Sequence, residues 1–355
     1  MDSSRRLIGA SAAAAAAAAV AAAAVAAHCW WRRNVLPLGP CCAACSELPV
    51  GDQLVRLPSN GLTRYTLANA MKLAAGDAIV VLVHGISYPG VDMFRGLANA
   101  LEGRCVLAYD IAGRGWSHVS GEPMDLNLYV QQLEELLDAL GCQSRDIELV
   151  GWSLGATIAS QFAYKHAQDA RALLRARYRV KKLVMLAPGG LFSSGFMRTC
   201  RIDEFITVLR GSNTRALLQR AMIALFVRTN LKVRQANEMR GMADGGRLVR
   251  LLWKHIDENR VLVRAWMSSL AHCPEIFDNR RVLRELGASD LEILLLFAKH
   301  DNAVGPPPGG VELDELMPRA QWRVLDAPDL DHAMHVTHRE IVEPLIVKFL
   351  RSGHV

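Results

Sequence analysis

Cysteine is scarce in this chain, with 8 in 355 residues, too few for a fold stapled by disulfides. Charged residues are sparse as well, at 21% against 51% hydrophobic, and that balance excludes an intrinsically disordered chain. The 27 glycines are too few for a collagen-like fibre. Past residue 50 the chain shows neither an internal repeat nor an apolar run long enough to cross a bilayer, which excludes a multispanning membrane protein.

What is present is a chain of about two domains' length at roughly 150 residues per domain. Net charge is +6, from 41 basic and 35 acidic residues, and it is unevenly placed. Residues 190–290 carry 17 Lys and Arg against 10 Asp and Glu, a surplus of +7, so the rest of the chain carries −1. A local basic surplus points to anionic partners such as lipid headgroups or acidic substrates. No nucleic-acid-binding motif accompanies it, so nucleic acid is not the expected partner.

The amino terminus has its own character. Leu7 to Ala27 is a run of 21 uncharged residues between Arg5–Arg6 and Arg32–Arg33, and 15 of the 18 residues from 10 to 27 are alanine. That length suffices to span a hydrocarbon core, and Trp30 and Trp31 stand where an interfacial aromatic belt would lie. Cys29, Cys41, Cys42 and Cys45 follow closely, as palmitoylated cysteines do. The expectation is a membrane-associated protein with an N-terminal anchor, over a cleaved signal or an organelle-targeting segment. The compartment stays open between the secretory pathway and the mitochondrion.

From residue 51 two extended segments, 53–57 and 62–67, flank a turn at Asn60-Gly61. Short apolar runs at 78–83, 105–109, 147–150 and 182–186 then alternate with helical patterns at 93–101, 126–140 and 154–166. Such alternation predicts a mostly parallel sheet with helices on both faces. Between residues 189 and 290 the patterns are helical, and the alternation returns with strands at 292–297 and 321–325 and a helix at 341–351. The economical division is 1–50, anchor or targeting segment and linker; 51–188, first part of an α/β core; 189–290, a helical cap; 291–355, second part of the core.

Gly151-Trp152-Ser153-Leu154-Gly155 fits a nucleophile elbow, a sharp strand-to-helix turn that presents a serine hydroxyl above a sheet. A serine needs a base, and the base an orienting carboxylate, in the chain order serine, acid, histidine. Asp301 and His332 each follow a predicted strand, where open α/β sheets place their sites. The rivals are Asp326, Asp329 and Asp331 for the acid, and His335 and His338 for the base. Acyl transfer also needs an oxyanion hole. Its expected donors are the N–H groups of Leu154, after the nucleophile, and Ile86, in the loop His84-Gly85-Ile86. Gly85 allows close backbone approach, and His84 is expected to hold the loop.

With Asp110-Ile111-Ala112-Gly113-Arg114-Gly115-Trp116-Ser117, these segments resemble the α/β-hydrolase superfamily in its His-Gly, capped branch that includes monoacylglycerol lipases and esterases. The resemblance covers residues 51–355 and implies an α/β-hydrolase fold with Gly151 and Gly155 supporting the elbow. Asp331 departs from it, standing where relatives usually carry glycine, and Pro306–Pro308 crowds the segment after the acid. Ser153 argues against epoxide hydrolases and haloalkane dehalogenases, which attack with a carboxylate. The elbow also differs from the Gly-Gly-Ser-Trp-Gly of prolyl aminopeptidases. What the resemblance implies is a serine hydrolase for carboxylic esters; the apolar, basic cap and the expected anchor point to lipids such as monoacylglycerols as substrates. No cofactor or metal is implied. A peptidase, an acyltransferase or a non-catalytic binding protein is the alternative. The cap combines Arg198, Arg201, Arg210, Arg215, Arg220 and Arg228 with Met197, Phe205, Leu217, Met222 and Phe226, and is a second candidate for membrane contact.

Overall fold

The computed structural model describes residues 51–355 apart from 75, 120–122, 172–176, 193–201, 212, 239–244, 260 and 306–307. The expected anchor at 7–27, the four cysteines behind it, and cap residues Met197, Arg198 and Arg201 lie outside the described residues. No described helix is long and apolar enough to cross a membrane.

Eight strands form one sheet in the order β1-β2-β4-β3-β5-β6-β7-β8. β1 (Gln53–Leu57) and β2 (Gly61–Ala68) are antiparallel to each other, and β2 is antiparallel to β4 (Cys105–Tyr109). β3 (Ile79–Val83), β4, β5 (Asp146–Trp152), β6 (Arg179–Leu186), β7 (Glu292–Ala298) and β8 (Gln321–Leu325) run parallel.

The central strands are continuous apolar runs because both faces of the sheet are covered. In β3 every residue is buried, and successive side chains go to opposite layers. Ile79, Val81 and Val83 join Leu133 of α2 (Leu126–Ala139) and Ile158 and Phe162 of α3 (Leu154–Arg171) in one apolar cluster. Val80 and Leu82 join Leu97 of α1 (Arg95–Ala100) and Val342, Ile346 and Phe349 of α10 (Arg339–Ser352) in the other. The pattern at 93–101 is not one helix. A short turn at Gly90–Met93 and α1 are separated by Phe94, whose φ of −100° and ψ of 3° are not helical.

Between β6 and β7 lie α4 (Ile202–Arg210), α5 (Thr214–Glu238), α6 (Gly245–Glu258) and α7 (Leu262–His272). α4, α5 and α7 share a small core of Leu209, Ala221, Ala224, Val263, Met267 and Ala271, and α6 joins α5 and α7 through Val227, Ile256 and Leu262. The next helix, α8 (Arg280–Gly287), packs against α3. A further helix, α9 (Gly310–Leu316), lies between β7 and β8.

Candidate active site

β5 ends and α3 begins at a single residue. Ser153 has φ of +56°, left-handed for a residue with a side chain, a conformation that costs about 1–2 kcal/mol and persists only where its surroundings impose it. Here they do. Ser153 N–H donates to Leu186 O at 2.9 Å, and Ser153 O accepts from Ala156 N at 3.0 Å and Gly189 N at 3.3 Å. The flanking glycines let α3 sit directly on the sheet. A Cβ on Gly155 would lie 2.0 Å from Val83 O, and one on Gly151 would lie 2.4 Å from Gly155 O.

Asp301 follows β7 and His332 lies in the loop after β8, at the same end of the sheet as Ser153. His332 Nδ1 is 2.8 Å from Asp301 Oδ2. A carboxylate only accepts, so Nδ1 carries the proton and Nε2 presents its lone pair. Asp301 Oδ1 accepts from Ala303 N at 2.8 Å and Val304 N at 3.1 Å. Burial opposes the charge on Asp301, but the His332 hydrogen bond and these amides outweigh it and hold the carboxyl below its ordinary pKa. All three side chains are buried, at 7% exposure for Ser153 and Asp301 and 6% for His332.

The rivals are placed elsewhere. Asp326 is on the surface, 2.6 Å from Lys299 Nζ, and Asp329 is exposed. His338 Nε2 bonds Pro328 O at 2.9 Å. His335 is buried between the rings of Trp152, at 4.6 Å, and Phe94, at 4.9 Å, with neither nitrogen hydrogen-bonded among the described residues. Asp331 has a structural role that the sequence left undefined. Its Oδ1 accepts from His332 N at 2.7 Å and Asn302 N at 3.0 Å, tying the two loops together.

The loop after β3 is fixed from within. Ile111 N–H donates to His84 Nε2 at 2.8 Å, so His84 Nδ1 carries the proton and donates to Gly85 O at 2.7 Å. Burial first, and the nearby Arg114 charge second, push the His84 pKa down to about 3, so the ring is neutral. Gly85 O and Ile86 N–H belong to one trans peptide. The bond that holds the carbonyl therefore also aims the N–H. Leu154 N–H opens α3 and is one of the donors that a helix leaves unpaired at its start. The Asp110–Ser117 loop, joined to His84 through Ile111, is braced in turn. Asp110 Oδ2 accepts from Trp116 N at 3.0 Å and Arg64 Nη1 at 3.2 Å, and Ser117 Oγ accepts from Arg64 N at 3.0 Å.

A family model described as "Alpha/beta hydrolase family" matches residues 80–344, which include the elbow, the His84–Ile86 and Asp110–Ser117 loops, Asp301 and His332. The chain belongs to the alpha/beta hydrolase family. Among solved structures, this family member is similar to a hydrolase from Pseudomonas aeruginosa PA01, with a TM-score of 0.58 and 19% identity over 85% of this chain and 99% of that one. It is similar to an esterase from Exiguobacterium antarcticum, with a TM-score of 0.59 and 18% identity over 84% of this chain and 99% of that one. An epoxide hydrolase, CorEH, matches with a TM-score of 0.58 at 18% identity over 84% and 98% of the two chains. Among curated proteins, the bovine (Bos taurus) mesoderm-specific transcript homolog protein is 31% identical over 134 residues. That alignment spans 36% of this chain and 38% of the bovine protein, well under two thirds of it.

Two contributors escaped the sequence reading. Trp152 Nε1 donates to His332 O at 2.9 Å. Arg114 Nε donates to Ile86 O at 3.0 Å. Both residues sit inside motifs, but their partners lie far along the chain, and no local pattern marks them.

Proposed function

We propose that this alpha/beta hydrolase is a serine hydrolase of carboxylic esters. The reading rests above all on the Asp301–His332 hydrogen bond, 2.8 Å long and buried, at the end of the sheet that presents Ser153. In this mechanism His332 Nε2 takes the Ser153 hydroxyl proton while Oγ attacks the acyl carbon. The carbonyl π pair moves onto oxygen, which the Ile86 and Leu154 N–H groups stabilise. The tetrahedral intermediate collapses as His332 gives the proton to the departing alcohol, leaving the acyl group on Oγ. Water then attacks, losing its proton to His332, which returns it to Ser153 as the acid leaves. Asp301 holds the imidazole in the Nδ1–H form and stabilises its charge.

The similarity to an epoxide hydrolase extends to the fold. At the elbow this chain has Ser153, and an ester is the substrate suited to that nucleophile. Lipid esters such as monoacylglycerols are the proposed class. Met222, Leu225 and Phe226 on α5 are 71%, 61% and 66% exposed, and Arg215 on the same helix is exposed too. Apolar side chains beside basic ones suit an anionic lipid surface. Arg210 and Arg220 are used differently, donating to Ala271 O at 2.7 Å and Gly211 O at 2.9 Å within the cap.

Labelling with a fluorophosphonate, together with a panel of mono-, di- and triacylglycerols and short esters, tests the proposal. The expected result is labelling that Ser153→Ala abolishes, with turnover highest on a lipid ester. A folded protein that neither labels nor turns over any ester would overturn it. Turnover only with amides, or only with an alcohol acceptor present, would assign the peptidase or acyltransferase reading instead.

A further inference from the structure

Arg114 is completely buried, yet among the described residues no carboxylate is in ion-pair contact with it. Its guanidinium has five N–H groups, and the structure gives each an acceptor. Nε donates to Ile86 O at 3.0 Å. Nη1 donates to Ala112 O at 2.9 Å and the Tyr129 hydroxyl at 2.6 Å. Nη2 donates to Ala265 O at 3.2 Å and Ser269 Oγ at 2.7 Å. One planar group thus joins the oxyanion turn, the Asp110–Ser117 loop and two of the helices. The last two acceptors belong to α7, a helix of the cap.

The Ile86 contact is the informative one. Ile86 stands between two peptide units, and its N–H belongs to the first. His84 holds the first through Gly85 O, and Arg114 holds the second through Ile86 O. The N–H can rotate away only if one of these bonds breaks. The seating of the cap reaches the same point, because Ala265 and Ser269 hold the other end of the guanidinium. A buried positive charge near the turn also favours the negative oxygen formed during reaction.

We propose that Arg114 is a positioning residue that couples docking of the cap to the oxyanion donor Ile86 N–H, so that acylation depends on the cap being seated. The inference rests on the ester-hydrolase reading above. It differs from a packing role in what it demands of the residue. A lysine keeps the charge but has three donors on one atom and cannot reproduce the fork.

The test uses the full chain and measures the second-order rate of fluorophosphonate labelling per labelled site, kcat and KM on a p-nitrophenyl ester, and affinity for a trifluoromethyl ketone. Arg114→Lys and Arg114→Met are the direct variants. Ser269→Ala, which leaves Arg114 in place and removes its acceptor in α7 together with a contact to the Tyr129 hydroxyl, is the milder variant. Removing an oxyanion donor lowers kcat by roughly 100- to 1,000-fold. Arg114→Met is therefore expected to lose about 100-fold in kcat and in labelling rate, with KM within about threefold and the endpoint of labelling complete. Arg114→Lys recovers less than a tenth of the loss, and Ser269→Ala loses about three- to tenfold. Ketone affinity falls in proportion to kcat/KM. Wild-type labelling rates per site in Arg114→Met, full recovery in Arg114→Lys, or an unchanged Ser269→Ala would each overturn the coupling. If Arg114→Met does not fold, the Ser269→Ala rate alone decides. A wild-type protein that neither labels nor hydrolyses esters would instead mark failure of the underlying hydrolase reading.

Discussion

The indole Nε1 of Trp152 donates to the backbone carbonyl of His332 over 2.9 Å, and the two rings lie 5.4 Å apart. The residue before the elbow serine therefore holds the loop that carries the histidine. Trp152→Phe keeps most of the ring but leaves that buried carbonyl without its donor, at a cost of about 1–3 kcal/mol. The expected result is a lower urea midpoint and a kcat reduced about tenfold at unchanged KM. Loss of stability without loss of kcat would confine Trp152 to packing.

Asp301→Asn preserves shape but favours the wrong imidazole tautomer, and by analogy with other triads it should cost up to about 10⁴-fold in kcat. Asp326→Asn, at an exposed ion pair with Lys299, should leave kcat within about twofold. The reverse ranking, measured on one ester under saturating conditions, would reassign the acid.

Asp331→Ala removes the carboxylate that His332 N and Asn302 N share. With the two loops untied, kcat is expected to fall about tenfold, and Asp331→Asn, which keeps one acceptor oxygen, should fall between. Equal activity in all three proteins would show that the tie is dispensable.

Three buried histidines should make the fold acid-sensitive. Burial is the leading cause in each case, pushing His84 and His335 down to about 3 and His255 to about 4. An unfolded chain takes up these protons below about pH 6.5. Stability is thus full above pH 6.5 and is lost as pH falls from there towards 4, by up to about 1.4 kcal/mol per pH unit for each histidine. His335→Phe, which also removes two nitrogens without a partner among the described residues, should shrink the difference between urea midpoints at pH 7 and pH 5. An unchanged difference would count against the assignment.

The apolar patch on α5 gives an interfacial prediction. Leu225→Asp with Phe226→Asp should lower the rate on monoacylglycerol carried in anionic vesicles at least fivefold, while hydrolysis of a water-soluble short ester stays unchanged. Added salt should weaken the wild-type preference for anionic vesicles, because the attraction is screened over roughly 8–10 Å. Equal losses on both substrates would place these residues in cap folding.

Much of this was legible because the signals were local. Val80, Val81 and Leu82 read as a buried strand from their neighbours alone, and the left-handed turn at Ser153 was announced by its two glycines. The asset that sequence lacks is partnership at a distance. Helical periodicity in α5 fades after Val227, yet the helix runs to Glu238. There α6 supports it, with Trp253 Nε1 donating to Lys232 O at 3.1 Å and Lys232 paired with Asp257 at 2.6 Å. Asp331 looked like a departure from a glycine, and only the folded loops reveal the two amides it serves. Arg114 gave no signal, since its acceptors are spread from residue 86 to residue 269.

The pairing of β7 with β6 carries a consequence for biosynthesis. Leu183 lies beside Ile293 in the sheet, although more than a hundred residues of chain separate them. Asp301 and His332 follow that late strand, within the last 55 of 355 residues. During translation the earlier segments fold first, and the serine elbow can form while its proton acceptor is still unmade. If Ser153 is the nucleophile proposed above, a nascent or prematurely stopped chain carries an inert hydroxyl. On the proposed mechanism, reactivity arrives only when the carboxyl-terminal strands dock.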